Sequence, residues 1–88
     1  MNNALISDHA GEQMLRRGIT EQQVRAILSQ QEELVVVRPG RVVVQALVQM
    51  GESQTNYLIR VFVDVDRTPP EVVTVYKTSR IEKYRRQQ

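Results

Sequence analysis

His9 is the only histidine in the chain. Imidazole ordinarily changes charge near neutral pH, so His9 is the natural candidate for carrying a proton. Arg16 and Arg17 follow it closely. Their guanidinium groups present planar forks of donors that suit phosphate oxygens. In a helix, His9, Gln13, Arg16 and Arg17 fall at i, i+4, i+7 and i+8 and share one stripe. That face carries a proton carrier, an amide and two cations, which is equipment for acid–base work on a phosphate. Each residue also has a plainer reading. Arg16 pairs with Glu12 at i, i+4, and arginines suit the negative end of a helix dipole. A lone histidine in a first helical turn commonly serves packing or hydrogen bonding.

The surrounding punctuation predicts the helix that this stripe needs. Ser7 or Asp8 can cap its start, and Ala10, Met14 and Leu15 give its apolar side. Gly18 fits the first position beyond its end, where glycine takes the left-handed conformation without steric cost. Ile19 can then fold back on Met14. Thr20, with Gln23 three residues on, has capping-box spacing and opens a second helix over about Glu21–Ser29. Val24, Ile27 and Leu28 form the apolar stripe of that helix. The lead-in residues Leu5 and Ile6 are expected to pack under the first helix.

From Glu33 the apolar period changes to that of strands. Leu34–Val37 is a short β-branched run, and Arg38-Pro39-Gly40-Arg41 reads as a type II turn. Arg41–Gln49 is a second strand, and Met50–Thr55 a loop. Asn56–Asp64 is a third strand, with Tyr57, Ile59, Val61 and Val63 on one face and Leu58, Arg60, Phe62 and Asp64 on the other. Glu71–Thr78 is a fourth, with Val73 and Val75 opposite Thr74 and Tyr76. Ser79–Arg86 can form a short helix capped by Ser79. Short loops favour an antiparallel meander. The expected fold is α+β: an N-terminal helical hairpin packed on a four-stranded antiparallel sheet, ending in a short basic C-terminal helix or tail. Residues 1–88 form one domain, with the hairpin at 7–30, the sheet at 33–78 and the tail at 79–88. Val35–Val37 and Val42–Val44 are apolar on both faces, so the second face needs a cover: the tail, or a second copy in a homodimer.

Composition excludes several classes. The chain has 88 residues and no cysteine, which rules out disulfides and thiol-based zinc sites. With one histidine and scattered acids, no metal or cofactor is expected. No apolar run approaches a membrane span, and the N-terminus lacks the marks of a secretory signal, so the expected compartment is the cytoplasm. The net charge is +2. From Lys77 onward, five cations (Lys77, Arg80, Lys83, Arg85 and Arg86) face Glu82 alone. A basic end on a near-neutral body suits a polyanionic partner.

Two stretches carry a resemblance. S-x-H-A-x-x-x-M-x-x-R-G-I-T at Ser7–Thr20 and V-T-V-Y-K-T-S-R-I-x-K-Y at Val73–Tyr84 resemble the bacterial family catalogued as domain of unknown function 4258. That family is similar in layout to the RelE-like and BrnT-like toxins, small ribonucleases of toxin–antitoxin systems. The resemblance implies a metal-independent endoribonuclease or a derivative of one, with RNA and a small antitoxin-like protein as partners. Metal-free cleavage of RNA needs a base, an acid and a cation to stabilise charge on phosphorus. His9 and Tyr76 are the candidate catalytic residues. Gln13, Arg16, Arg17, Thr74, Ser79 and Arg80 are the candidate substrate-binding residues. The family usually has arginine four residues after the histidine; Gln13 stands there in this chain and brings no charge. The alternative is a non-catalytic module that binds protein or nucleic acid.

Overall fold

The structure is a computed structural model and describes Met1 and residues 3–84. In chain order the elements are β1 (Leu5–Ile6), α1 (Asp8–Arg17), α2 (Glu21–Gln30), β2 (Glu33–Arg38), β3 (Arg41–Met50), β4 (Thr55–Asp64), β5 (Glu71–Thr78) and α3 (Ile81–Tyr84). The class is α+β, as the residue pattern predicts. The sheet differs from the expected one: it has five strands in the order β1-β5-β4-β3-β2, and it is mixed. β2, β3, β4 and β5 form the antiparallel meander, while β1 pairs parallel with β5, Leu5 beside Glu71 and Ile6 beside Val72. Leu5 and Ile6 therefore do not simply lie under α1. Ile6 packs against the core, but Leu5 is 56% exposed. Two residues are too few to show a period of two, so this strand leaves no sequence signal.

The junction between the helices follows its local chemistry closely. The Ser7 hydroxyl accepts from the Ala10 amide, so Ser7, and not Asp8, caps α1. Gly18 has φ +68°, and its amide donates to the Leu15 carbonyl. The Ile19 amide donates to the Met14 carbonyl at 2.9 Å, and both side chains are buried. These paired bonds satisfy carbonyls that the helix end would leave open. Thr20 and Gln23 then exchange backbone and side-chain hydrogen bonds at 3.0 and 2.9 Å. The expected helical hairpin is matched only in part, because each helix has its main contacts on different strands. α1 lies against β5, and α2 lies over β3 and β4.

The core sits between the helices and one face of the sheet. Met14, Val24, Ile27 and Leu28 meet Val42, Val44, Ile59, Val61, Val63, Val72 and Val75 there. Fully burying each aliphatic side chain contributes roughly 1.5–3 kcal/mol. The strict alternation expected of β5 fails, because the pairing with β4 shifts between Phe62 and Val63. Val73 is the extra residue, and the shift turns Val72 and Val75, three positions apart, to the same core face. A second shift lies between Val36 and Arg38 in β2. Met50 and Thr55 belong to strands, so the β3–β4 loop is shorter than expected. Pro39-Gly40 makes the β2–β3 turn, with Gly40 at φ +88°. A Cβ there would meet the Asp66 carboxylate at 2.8 Å. Among the described residues, no helix is long and apolar enough to cross a membrane. The C-terminal helix is seen only as Ile81–Tyr84; Arg85 and Arg86 lie outside the described residues. Ser79 is not shown capping it; the Arg80 amide instead donates to the Thr78 hydroxyl.

Candidate functional site

The face of the sheet turned away from α1 and α2 holds an arginine in the middle of an apolar strand. Arg60 of β4 pairs across the sheet with Gln45 of β3 and Tyr76 of β5. Its Nε donates to Gln45 Oε1 at 2.7 Å, and its Nη1 donates to the Tyr76 hydroxyl at 2.7 Å. The guanidinium carbon lies 4.3 Å from the Tyr84 ring centre, 5.3 Å from that of Phe62 and 5.8 Å from that of Tyr76. Each ring face attracts a cation. Among the described residues no carboxylate forms an ion pair with Arg60. A half-buried cation is thus held, among the described residues, by neutral groups alone.

Tyr84 is brought to this cluster by α3, which folds back over the open face. The Gln45 amide donates to the Tyr84 carbonyl at 3.3 Å, and Gln45 is fully buried. Tyr84 and Tyr76 meet edge to face with ring centres 6.3 Å apart, and Phe62 and Tyr76 stack at 6.0 Å. The neighbouring Tyr76 hydroxyl, then Lys83 and the Arg60 charge, hold the Tyr84 phenol below its ordinary range, against the opposing effect of burial. A phenol so placed gives up its proton more readily than a free tyrosine.

The sequence-predicted residues divide between this face and the edge of β5. Tyr76 is central to the arginine cluster. Thr74 lies opposite Phe62, so it shares the open face. Gln13 reaches the sheet from α1: its Oε1 accepts from the Val75 amide at 2.9 Å. β1 pairs only with the first residues of β5, so that amide lies on an edge that β1 does not reach. Gln13 is therefore an edge cover, a task that a glutamine carbonyl can do and an arginine cannot. His9, one turn earlier, is exposed and makes no side-chain hydrogen bond or ion pair among the described residues. Arg16 is exposed. Arg17 is half-buried, and its Nη1 is buried without a hydrogen-bond partner among the described residues. Ser79 and Arg80 are exposed and, with Ile81, Glu82 and Lys83, line a shallow cleft of about 470 Å³.

Residue reasoning placed Arg60 on the second face but did not single it out. Gln45, Phe62 and Tyr84 were missed in the same way. The available signal was a cation in mid-strand, flanked by Ile59 and Val61, because burying a charge is costly unless it has work to do. No three His, Cys, Asp or Glu side chains cluster as metal ligands among the described residues.

The second charged cluster is structural. Asp64 at the end of β4 takes a hydrogen bond from Arg41 Nε at 2.6 Å and another from Arg41 Nη2 at 3.1 Å. Arg67 adds an ion pair at 3.2 Å and also reaches Glu71 at 2.9 Å. The Arg41 hydrogen bond, opposed by burial and assisted by the charges of Arg41, Arg67 and Arg38, holds the Asp64 carboxyl below its ordinary range. Arg41 and Arg67 both meet carboxylates here, which sets this cluster apart from Arg60.

Fold and face together define a small α+β domain with an aromatic-lined cation on the sheet face that α3 covers in part. A sequence profile for the family described as "Domain of unknown function (DUF4258)" matches residues 6–77. The chain belongs to that family. Searches of curated proteins and of solved structures found no match.

Proposed function

We propose that this chain acts on single-stranded RNA through the open face around Arg60, as a small toxin-like ribonuclease that needs no metal. The observation that carries the reading is Arg60 itself, a cation without a carboxylate among three aromatic rings. Exposed bases stack on such rings, and a guanidinium meets the phosphate between them. Thr74 and Tyr76 supply further donors on the same face. Tyr84, whose phenol is held below its ordinary range by Tyr76, Lys83 and Arg60, is a candidate for proton exchange there. His9 stands on α1, which packs on the other face of the sheet, so its exposed side chain is a separate acid–base candidate and not a partner of Arg60. Arg80 just before α3 and Lys83 within it extend the positive potential along the strand's exit.

The test is cleavage of single-stranded RNA in excess chelator. The wild type is expected to cleave. Arg60→Gln is expected to lower the rate by about 100-fold, the usual scale for losing one positioned charge at a reacting phosphate. Tyr84→Phe and His9→Ala separate the two proton-transfer candidates. A wild type that binds RNA and cleaves nothing would support the second reading, a non-catalytic RNA-binding module. That reading is favoured by one observation: Gln13, where the resembling family has an arginine, is engaged with the Val75 amide.

A further inference from the structure

We infer that the free edge of β2 is a self-association surface, on which a second copy of this chain pairs its own β2 antiparallel. β2 is the last strand of the sheet, so one row of its backbone groups meets no strand among the described residues. It carries four consecutive apolar residues: Leu34 is 40% exposed, Val35 45%, Val36 67% and Val37 47%. The main contacts of the two long helices lie elsewhere, α1 on β5 and α2 on β3 and β4. Protein edges of this kind are ordinarily blunted by charge, proline or a covering element, because an open apolar edge recruits another strand. Here the blunting is confined to the ends. Glu32 and Glu33 precede the apolar run, and Arg38 and Pro39 follow it.

Those ends point to the occupant. An antiparallel copy sets the acidic end of each strand against the basic end of the other, whereas a parallel copy sets like against like. Symmetry narrows the register. A two-fold axis perpendicular to a continuous sheet must place a residue opposite its own copy, because facing residues share a face. With Val35 opposite Val35, Leu34 meets Val36 on the helix side of the sheet, and Glu33 meets the Val37–Arg38 step. The shift between Val36 and Arg38 brings Arg38 opposite Arg41, whose partner Asp64 is on the open face. Glu33 lies opposite Gln45, on that face as well. The charges that approach each other across the dyad are therefore on one side of the joined sheet. The pairing makes one ten-stranded sheet and removes both apolar edges from water.

Sedimentation of the full chain across a concentration series reads this directly. The wild type is expected to form a dimer of twice the 10.2 kDa chain mass, with micromolar affinity. Val36→Lys, at an exposed position that leaves the core untouched, is expected to be monomeric with an unchanged melting temperature when dilute. Arg38→Glu makes both ends acidic, and Glu32→Lys with Glu33→Lys makes both ends basic. Each alone is expected to dimerise about tenfold more weakly, and an equal mixture to form the mixed dimer with affinity restored. A monomeric wild type at all concentrations would leave the edge to a strand of some other protein and would overturn the inference. A dimer that survives Val36→Lys would overturn it too, since another surface would then be responsible.

Discussion

A Cβ added at Gly18 would meet no atom within 4 Å beyond its chain neighbours, so the main cost of substitution there is conformational. Its φ of +68° is one that β-branched residues avoid. Gly18→Val is expected to lose on the order of 1–2 kcal/mol, measured by thermal or denaturant unfolding. An unchanged midpoint would mean that the α1–α2 junction does not depend on this conformation. Asp64 offers a test by pH. Its folded pKa is depressed, so the unfolded chain takes up the proton first as the solution is acidified. The stabilisation is fully present above the ordinary carboxylate value of about 4, and it is lost as pH falls through the folded value. Asp64→Asn is expected to lower the melting temperature by about 5 °C at pH 7, and the gap to wild type should close in strong acid. A gap that stayed constant down to low pH would show that the ion pairs with Arg41 and Arg67 do not stabilise the fold. Residues of the first kind were legible in the sequence because their partners are near neighbours: Gly18 answers to Met14, and Thr20 to Gln23. Arg60 was not legible as a centre. Its partners lie 15 and 16 positions away, at Gln45 and Tyr76, and only the sheet brings them together.

Among the elements, α1 is placed by one side chain as much as by its apolar stripe. Gln13 covers the Val75 amide on a stretch of β5 that β1 is too short to reach. Gln13→Leu is expected to cost about 1 kcal/mol and to speed hydrogen exchange at the Val75 amide. Gln13→Arg should do the same, because arginine offers no acceptor. Slow exchange at Val75 in both variants would mean that water or a neighbouring group meets that amide equally well. The long strands were readable from their β-branched runs, and the turns from Pro39-Gly40. Two features had no such trace. β1 is two residues whose partner is at the far end of the meander. The irregularities at Val37 and Val73 arise from how neighbouring strands fit, and alternation within one strand cannot reveal them. The separation of α1 and α2 onto different strands was likewise set by what the sheet needs covered.

For the molecule as a whole, the two faces of the sheet have different work. One is sealed by α1 and α2 over a continuous aliphatic core. The other carries Arg60, Phe62, Tyr76 and Tyr84, with α3 folded across them. The sequence showed that this second face was not simply wet, because its strands are apolar on both sides, and it named the C-terminal segment as one possible cover. It did not show that the cover is local, with Tyr84 over Arg60, while β2 stays open. The central claim is that this face receives RNA, with Arg60 meeting a phosphate. The most direct measurement is the affinity of a labelled single-stranded RNA for wild type and for Arg60→Gln across a salt series. Binding at low salt is expected to weaken steeply as salt rises, with about a tenfold loss and a shallower salt slope in Arg60→Gln. Equal affinity and equal slope for the two proteins, or no binding by the wild type at low salt, would contradict it.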